Sequence, residues 1–423
     1  MTVESLSPPK DDPREVIVDD SVTNLWTKLT ASTFEIGLLV GQISLSNAGD
    51  FVLAAVPVPS ESEGGEPPNS LGDVSVDWVQ EIAQHVNCLL PGGIRVVGIY
   101  VVSVLDISKQ AVQYLRAIAE AVALSFNIPA CDNVHYLAHV SLDDNFCIHS
   151  VYSVEDVQKT QLKPAKLKKS PGHLRFEQYR TLVEVDEPIS FTSNASRTAI
   201  KVPNNRIDEV EEQLEILFRR VADSIAVHKL TDDANIHYMN LLTLKSSNPQ
   251  KDLKNPLGSI RGTVSCVAFV LQSESKPSEV AAVYLKRDFV KSLSMRVALA
   301  RESLNEDDDA GRISIFEKGG VIRLAQRGLV PWPLKPYFMA TVHVLSDENA
   351  AKATENALEI LGGVRNGDAR NGDACAWVAL ETSGQLRSSQ DLTLSKNSEQ
   401  SNFVYFMLPL ILVLLLIAYQ HLA

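Results

Sequence analysis

Ile94-Arg95-Val96-Val97-Gly98-Ile99-Tyr100-Val101-Val102-Ser103-Val104-Leu105 is a nearly continuous apolar run rich in Val and Ile. A strand with one wet face alternates apolar and polar side chains. This run does not, so it reads as a central strand covered on both faces. The flanking sequence supplies covers. Upstream, Ser75 to Leu90 spaces Trp78, Val79, Ile82, Ala83, Val86, Leu89 and Leu90 at three and four, which predicts an amphipathic helix. Ser75 is its N-cap and Pro91-Gly92-Gly93 its stop. Downstream, a helix over about Ser108 to Phe126 aligns Val112, Leu115, Ile118, Ala119 and Val122. Thr33 to Ser44 and Phe51 to Val58 read as a hairpin closed by Ser46-Asn47-Ala48-Gly49-Asp50, and strands follow near Val134 to Leu142 and Cys147 to Val154. The class is α/β (α+β).

The same periodicities extend to a second α/β region. They predict a strand near Thr181 to Val185, a helix over Asp208 to His228 and a strand at Gly262 to Leu271. A helix at Ser278 to Leu304, an extended or edge segment with Pro331, Pro333 and Pro336 around Trp332, a strand at Tyr337 to Leu345 and a helix at Asp347 to Leu361 follow. The tandem Arg365-Asn366-Gly367-Asp368-Ala369 and Arg370-Asn371-Gly372-Asp373-Ala374 reads as paired turns. The expected organisation is a leader at 1–13, a first domain at 14–160, a linker at 161–172 holding Lys163, Lys166, Lys168 and Lys169, a second domain at 173–382, and a polar tether at 383–401.

Residues 402–420 carry the strongest single signal about location. Phe403 to Tyr419 contains no charge, and at about 1.5 Å per residue it spans roughly 25 Å, close to the hydrocarbon core of a thin membrane. Pro409 falls early enough for neighbouring carbonyls to adjust, while Leu410 and Leu414 lie in the apolar body and Tyr405 and Tyr419 suit the two interfaces. The acidic start lacks an apolar signal segment, so the expectation is a tail anchor with the preceding domains in the cytosol. The five cysteines are odd in number and contain no Cys-x-x-Cys pair, as expected of free thiols in a reducing compartment. Asn194-Ala195-Ser196 is therefore expected to remain unglycosylated. A net charge of -13 argues against a nucleic-acid partner.

No phosphate loop, nucleophile elbow or His-Glu-x-x-His is present. Cys131, His135, His139, Cys147 and His149 lie within nineteen positions, and alternation on two strands would let pairs of them share a face. Their spacing matches none of the common zinc templates, so packing is the preferred reading. The acidic run Asp307 to Asp309 lacks the alternating ligands and Gly of a calcium loop and reads as a solvated helix end. No catalytic, cofactor-binding or metal residue is assigned.

Gly37-Leu38-Leu39-Val40-Gly41-Gln42, Phe51 to Pro57, Leu89-Leu90-Pro91-Gly92-Gly93 and Val96 to Tyr100 occur in the order of the MPN fold, which includes the JAMM metalloproteases. The scaffold resembles that family; the site does not. Where active members carry two His and an Asp on zinc, with a Ser between, this chain has Val101, Ser103, Val104, Ala111 and Tyr114. Glu35 lies near the family's catalytic Glu, but the register puts Phe34 there. With the second α/β region and the apolar tail, the whole chain is similar to the Odr-four family, the odorant-response-abnormal proteins. That resemblance implies a non-enzymatic endoplasmic-reticulum adaptor. It would assist folding and trafficking of seven-helix odorant-type receptors, and it would hold the cysteine protease specific for the ubiquitin-fold modifier Ufm at the membrane. It implies no cofactor. A zinc isopeptidase and a structural tether are the alternatives; the first lacks ligands, and the second lacks heptads before the tail. Trp78, Trp332 and Tyr337 are the candidate partner-contact residues.

Overall fold

Eight strands form the first sheet of the protein, β1 (Glu15–Val18), β2 (Glu35–Gln42), β3 (Asp50–Pro57), β4 (Arg95–Val102), β5 (His135–Asp143), β6 (Phe146–Val154), β7 (Lys163–Pro164) and β8 (Lys166–Lys169). This computed structural model describes residues 14–28, 34–45, 49–61, 68–104, 107–123, 134–143, 146–154, 162–170, 176–189, 217–229, 236–242, 258–306, 321–323, 325–332, 335–345, 348–362, 378–379 and 385–388. The strand order is β7-β6-β5-β4-β2-β3-β1-β8. The decisive run is β4, and every residue from Val96 to Val102 is buried between β2 and β5. It stops short of the expected end, leaving Val104 64% exposed.

Helices cover both faces of this sheet. On one lie α2 (Val76–Leu89) and α3 (Ser108–Val122), packed through Val79, Ile82, Leu115 and Ile118. Ser75 caps α2 as expected, accepting from Trp78 N at 3.3 Å. On the other face α1 (Asp20–Lys28) drives Trp26 against Tyr100 and Tyr136. The sequence reading missed α1, since nine residues give too few turns for a periodicity to show. Gly41 and Gly98 allow close strand contact, because a Cβ at either would strike the carbonyl of Phe51 or Tyr136.

Two expectations are corrected in this sheet. Asp50, assigned to a turn, is buried and organises the interior. It accepts from Arg14 Nε at 2.9 Å, Ser44 N at 2.9 Å and the Tyr136 hydroxyl. Burial, with the Asp50 carboxylate beside it, pushes the Tyr136 phenol far above its usual range. The basic segment assigned to a linker is β7 and β8. Leu167 turns into the core while Lys166 and Lys168 reach Glu15 of β1, an alternation that makes a half-buried strand.

The second half is built around β9 (Phe176–Ile189) and β12 (Gly258–Leu271), antiparallel over 14 residues each. They sit in a sheet ordered β10-β11-β9-β12-β17-β13, with β10 (Ile225–Lys229), β11 (Ile236–Leu242), β13 (Val321–Arg323) and β17 (Gln385–Ser388). The long helix α4 (Pro277–Glu306) lies along β12, burying Ala281, Leu285, Phe289 and Leu293. Strands β14 (Gln326–Trp332), β15 (Lys335–Val344) and β16 (Val378–Ala379) form a third sheet, on which α5 (Ala350–Ile360) packs after its N-cap Asn349. β16 reaches only Gly328 and Leu329, so Pro331 sits where its missing N–H removes no bond to that strand.

The helix expected over Asp208 to His228 is corrected. Helical turns occupy 217–222, and Ser224 then bonds back to Val221 O at 2.6 Å through its hydroxyl. From Ile225 the β-branched pattern pairs with β11. The tether expected from 383 is corrected as well, since β17 pairs with both β12 and β13. Residues 208–216, Asp307 to Asp309, Asn194, the tandem turns and the apolar tail lie outside the described residues. Among the described residues no helix is long and apolar enough to cross a membrane. One hydrophobic cluster runs from Ile36, Val79 and Val101 to Val267, Phe269 and Trp332, joining the two halves through a shared interior.

Candidate functional site

The residues singled out in the sequence disperse. Val101, where the resemblance would need a zinc ligand, and Ala111, where it would need the Ser, are fully buried among apolar neighbours. The Tyr114 hydroxyl lies 2.6 Å from Leu71 O and 2.8 Å from Val74 O. Glu35 accepts from the Tyr100 hydroxyl at 2.6 Å. His135 is buried on β5, while His139 Nε2 is 3.3 Å from Ser103 O. Cys131 lies outside the described residues, as do the side chains of Cys147 and His149. Among the described residues no three His, Cys, Asp or Glu come together as a metal site.

The proposed contact residues also separate. Trp78 is half-buried and donates its indole N–H to Pro59 O at 2.8 Å. Trp332 is corrected to a core residue, 1% exposed, with its indole 3.4 Å from Leu361 O. Its ring fills the space between β14 and the end of α5, so it cannot present an exposed anchor. Tyr337 lies in β15, its side chain outside the described residues. So do Phe403, Tyr405, Pro409, Leu410, Leu414 and Tyr419.

What the structure does assemble is a polar seam along one edge of β12. β17 pairs only with Gly258 to Arg261, so the edge beyond needs partners for its buried N–H and C=O groups. Among the described residues no strand supplies them. Ser265 O accepts from Arg327 Nη1 at 2.9 Å, and Val267 N donates to Asp288 Oδ2 at 2.9 Å. Gly92 serves the next two, its N–H reaching Val267 O at 2.8 Å and its carbonyl accepting from Phe269 N at 2.9 Å. Gln42 completes the row, with Nε2 to Phe269 O at 2.7 Å and Leu271 N to Oε1 at 3.2 Å. The Pro91-Gly92-Gly93 stop of α2 is thus the tongue by which the first half enters the second. A Cβ on Gly92 would stand 2.6 Å from Tyr284 O, and Gly93 takes φ +84°.

Charge is concentrated behind this edge. Asp288 and Arg327 are wholly buried and meet in a bidentate pair at 2.6 and 2.9 Å. Lys291, one turn along α4, donates to Asn87 O at 3.1 Å and to Leu90 O, capping the C-terminus of α2. Burial lowers its ammonium to about 8, against the pull of Asp288. Ser292 Oγ lies 3.3 Å from His343 Nε2, and burial together with Arg327, Arg296 and Lys291 holds that imidazole well below its usual range. The same burial drives the Cys266 thiol up and lowers Arg296 to about 9. The arrangement positions the two halves and welds them together.

The sequence reading quoted Gln42, Gly92 and Gly93 but gave them no such role, and it missed Asp288, Arg327 and Lys291. One signal was available. Asp288 falls on the apolar stripe of α4 between Leu285 and Phe289.

A protein-family profile described as "ODR4-like: Odorant response abnormal 4-like" matches residues 37–364. The "Protein odr-4 homolog" of Xenopus tropicalis is 26% identical over 384 residues, covering 82% of this chain and 84% of that protein. The protein of the same description from Homo sapiens is 23% identical over 385 residues, covering 82% and 83%. Among solved structures, "Crystal structure of UfSP from C.elegans" superposes with a TM-score of 0.42 at 8% identity. It covers 83% of this chain but only 57% of that one. So loose a superposition assigns neither fold nor partner.

Proposed function

The chain belongs to the ODR4-like family, and on that premise we propose that it is a non-enzymatic adaptor held in the endoplasmic-reticulum membrane by residues 402–420, with the folded part in the cytosol. In this role it assists the folding and delivery of seven-helix receptors of the odorant-response type and retains the Ufm-specific cysteine protease at the membrane. The name of the family supports the first role. The second is drawn from the sequence resemblance described above. Its MPN-like first half serves as a binding scaffold. The observation that carries the non-catalytic reading is the filled interior around Val101 and Tyr114, where an isopeptidase would need a His and an Asp on zinc with room for water.

The test compares the full chain with one ending at Ser401, both expressed in cells and recovered from solubilised microsomes. The adaptor reading expects the protease and receptors to co-purify with the full chain at stoichiometric levels, and the protease to leave the membrane fraction with the truncated chain. Stoichiometric zinc with isopeptidase activity, or a truncated chain that stays on the membrane with its partners, would overturn it.

A further inference from the structure

Three strands at one end of the second sheet repeat one pattern, Ile260-Arg261 on β12, Ile322-Arg323 on β13 and Leu386-Arg387 on β17. Residues opposite each other in an antiparallel pair share a face. Ile260 and Ile322 both stand opposite Leu386, so the register puts these three on one face and Arg261, Arg323 and Arg387 on the other. The apolar face continues along β12 through Val264 and Cys266, which α4 covers. The arginine face continues across the sheet, because Ser265 stands opposite Leu182, and Arg180 opposite Tyr238. Leu182 is 59% exposed and Tyr238 42%. Charge on this face also runs against that of the chain. Arg180 and Lys229 join the three arginines, and Glu184 and Asp186 oppose them, giving five cations against two carboxylates in a protein of net charge -13. Asp186 stands opposite Arg261, whereas the positions opposite Arg323 and Arg387 are Gln385, Ser259 and Val321.

We propose that this face of the second sheet rests on an anionic phospholipid surface, with its Arg323 and Arg387 end among the headgroups and Leu182 and Tyr238 at the interface. Two arguments favour a bilayer as the occupant. A basic face bearing an exposed Tyr and Leu matches what anionic leaflets attract, since cations gain from the surface potential and Tyr from the headgroup level. β17 is also the last described strand before the apolar stretch at 402–420, so this end of the sheet is the part of the fold nearest the bilayer along the chain. The proposal therefore rests on the tail-anchor reading and adds an orientation to it. The sheet lies against the lipid, and α4, on the opposite face, points away from it.

The test reconstitutes the full chain carrying Tyr238→Trp into vesicles of brominated phosphatidylcholine, with and without about one-third phosphatidylserine, and reads the added indole against the native chain. With phosphatidylserine the bromine should quench that indole, and high salt should relieve the quenching. An arginine near an anionic leaflet is worth about fivefold in attraction, so the Arg323→Glu/Arg387→Glu pair should abolish the difference between the two lipids. If the pair fails to fold, Arg387→Gln alone should reduce the docked fraction about fivefold. Flotation of the vesicles reads the anchor separately. A chain that fails to float overturns the tail-anchor reading and this proposal with it. A chain that floats but is quenched equally in both lipids, or equally in the folded arginine variants, overturns the docking alone. Binding of a polyglutamate peptide through the same arginines, with no response to phosphatidylserine, assigns the face to an acidic protein and also overturns the lipid.

Discussion

Asp288 and Arg327 show how much two residues can decide. Both are at 0% exposure, and each is useful only because the other is there. Removing one charge strands its partner, so Asp288→Asn should cost about 3–5 kcal/mol in denaturant unfolding, whereas the double change to Leu and Met should cost much less. An Asp288→Asn protein as stable as the native one would show that the pair contributes nothing. His343 gives a pH dependence of defined sign. Its imidazole is held neutral in the fold, so the unfolded chain takes the proton first, and stability must fall as pH drops below about 6.5. Unfolding midpoints measured at pH 7.5 and 5.5 should separate, and His343→Gln should narrow the gap. Legibility at this scale was uneven. Ser75 announced itself as a cap, and its hydroxyl accepts from Trp78 N as that reading requires. Asp288 stood out only as a charge on an apolar stripe, and its partner is 39 residues away on another element, beyond any local pattern.

Among the elements, those whose burial repeats along one segment were readable. β4, α2 and α3 carry their periodicity within themselves, and each formed near its expected bounds. β8 and β17 did not, since a four-residue strand is defined by the neighbour it finds, and their neighbours lie far off in sequence. The Pro-Gly-Gly stop was legible as a stop but not as a docking tongue, because its second purpose depends on the open edge of β12. That edge makes a sharp prediction. Gln42→Leu keeps the side-chain bulk but leaves Phe269 O and Leu271 N unanswered, at about 1–3 kcal/mol each. Hydrogen exchange should show early loss of protection at Leu271, whose N–H Gln42 accepts, while β4 remains protected. Uniform exchange across both sheets would instead mean that Gln42 acts only through global stability.

The whole molecule behaves as one cooperative body if its shared interior is taken literally. Val267, Phe269 and Trp332 complete a core begun by Ile36, Val79 and Val101, so neither half encloses its own apolar surface. Residues 14–170 and 176–388 expressed separately should aggregate or bind a hydrophobic dye, and co-expression should restore a single unfolding transition. Two independent transitions in the intact protein would contradict this. The pairing of Gln385–Ser388 into the second sheet also fixes a length. About fourteen residues separate it from the apolar stretch beginning at Phe403. At roughly 3.5 Å each these reach no farther than about 50 Å. In the proposed arrangement the protein is therefore on a short leash. It can sweep only a shallow layer above the bilayer, and any partner it captures must offer its binding face within that layer.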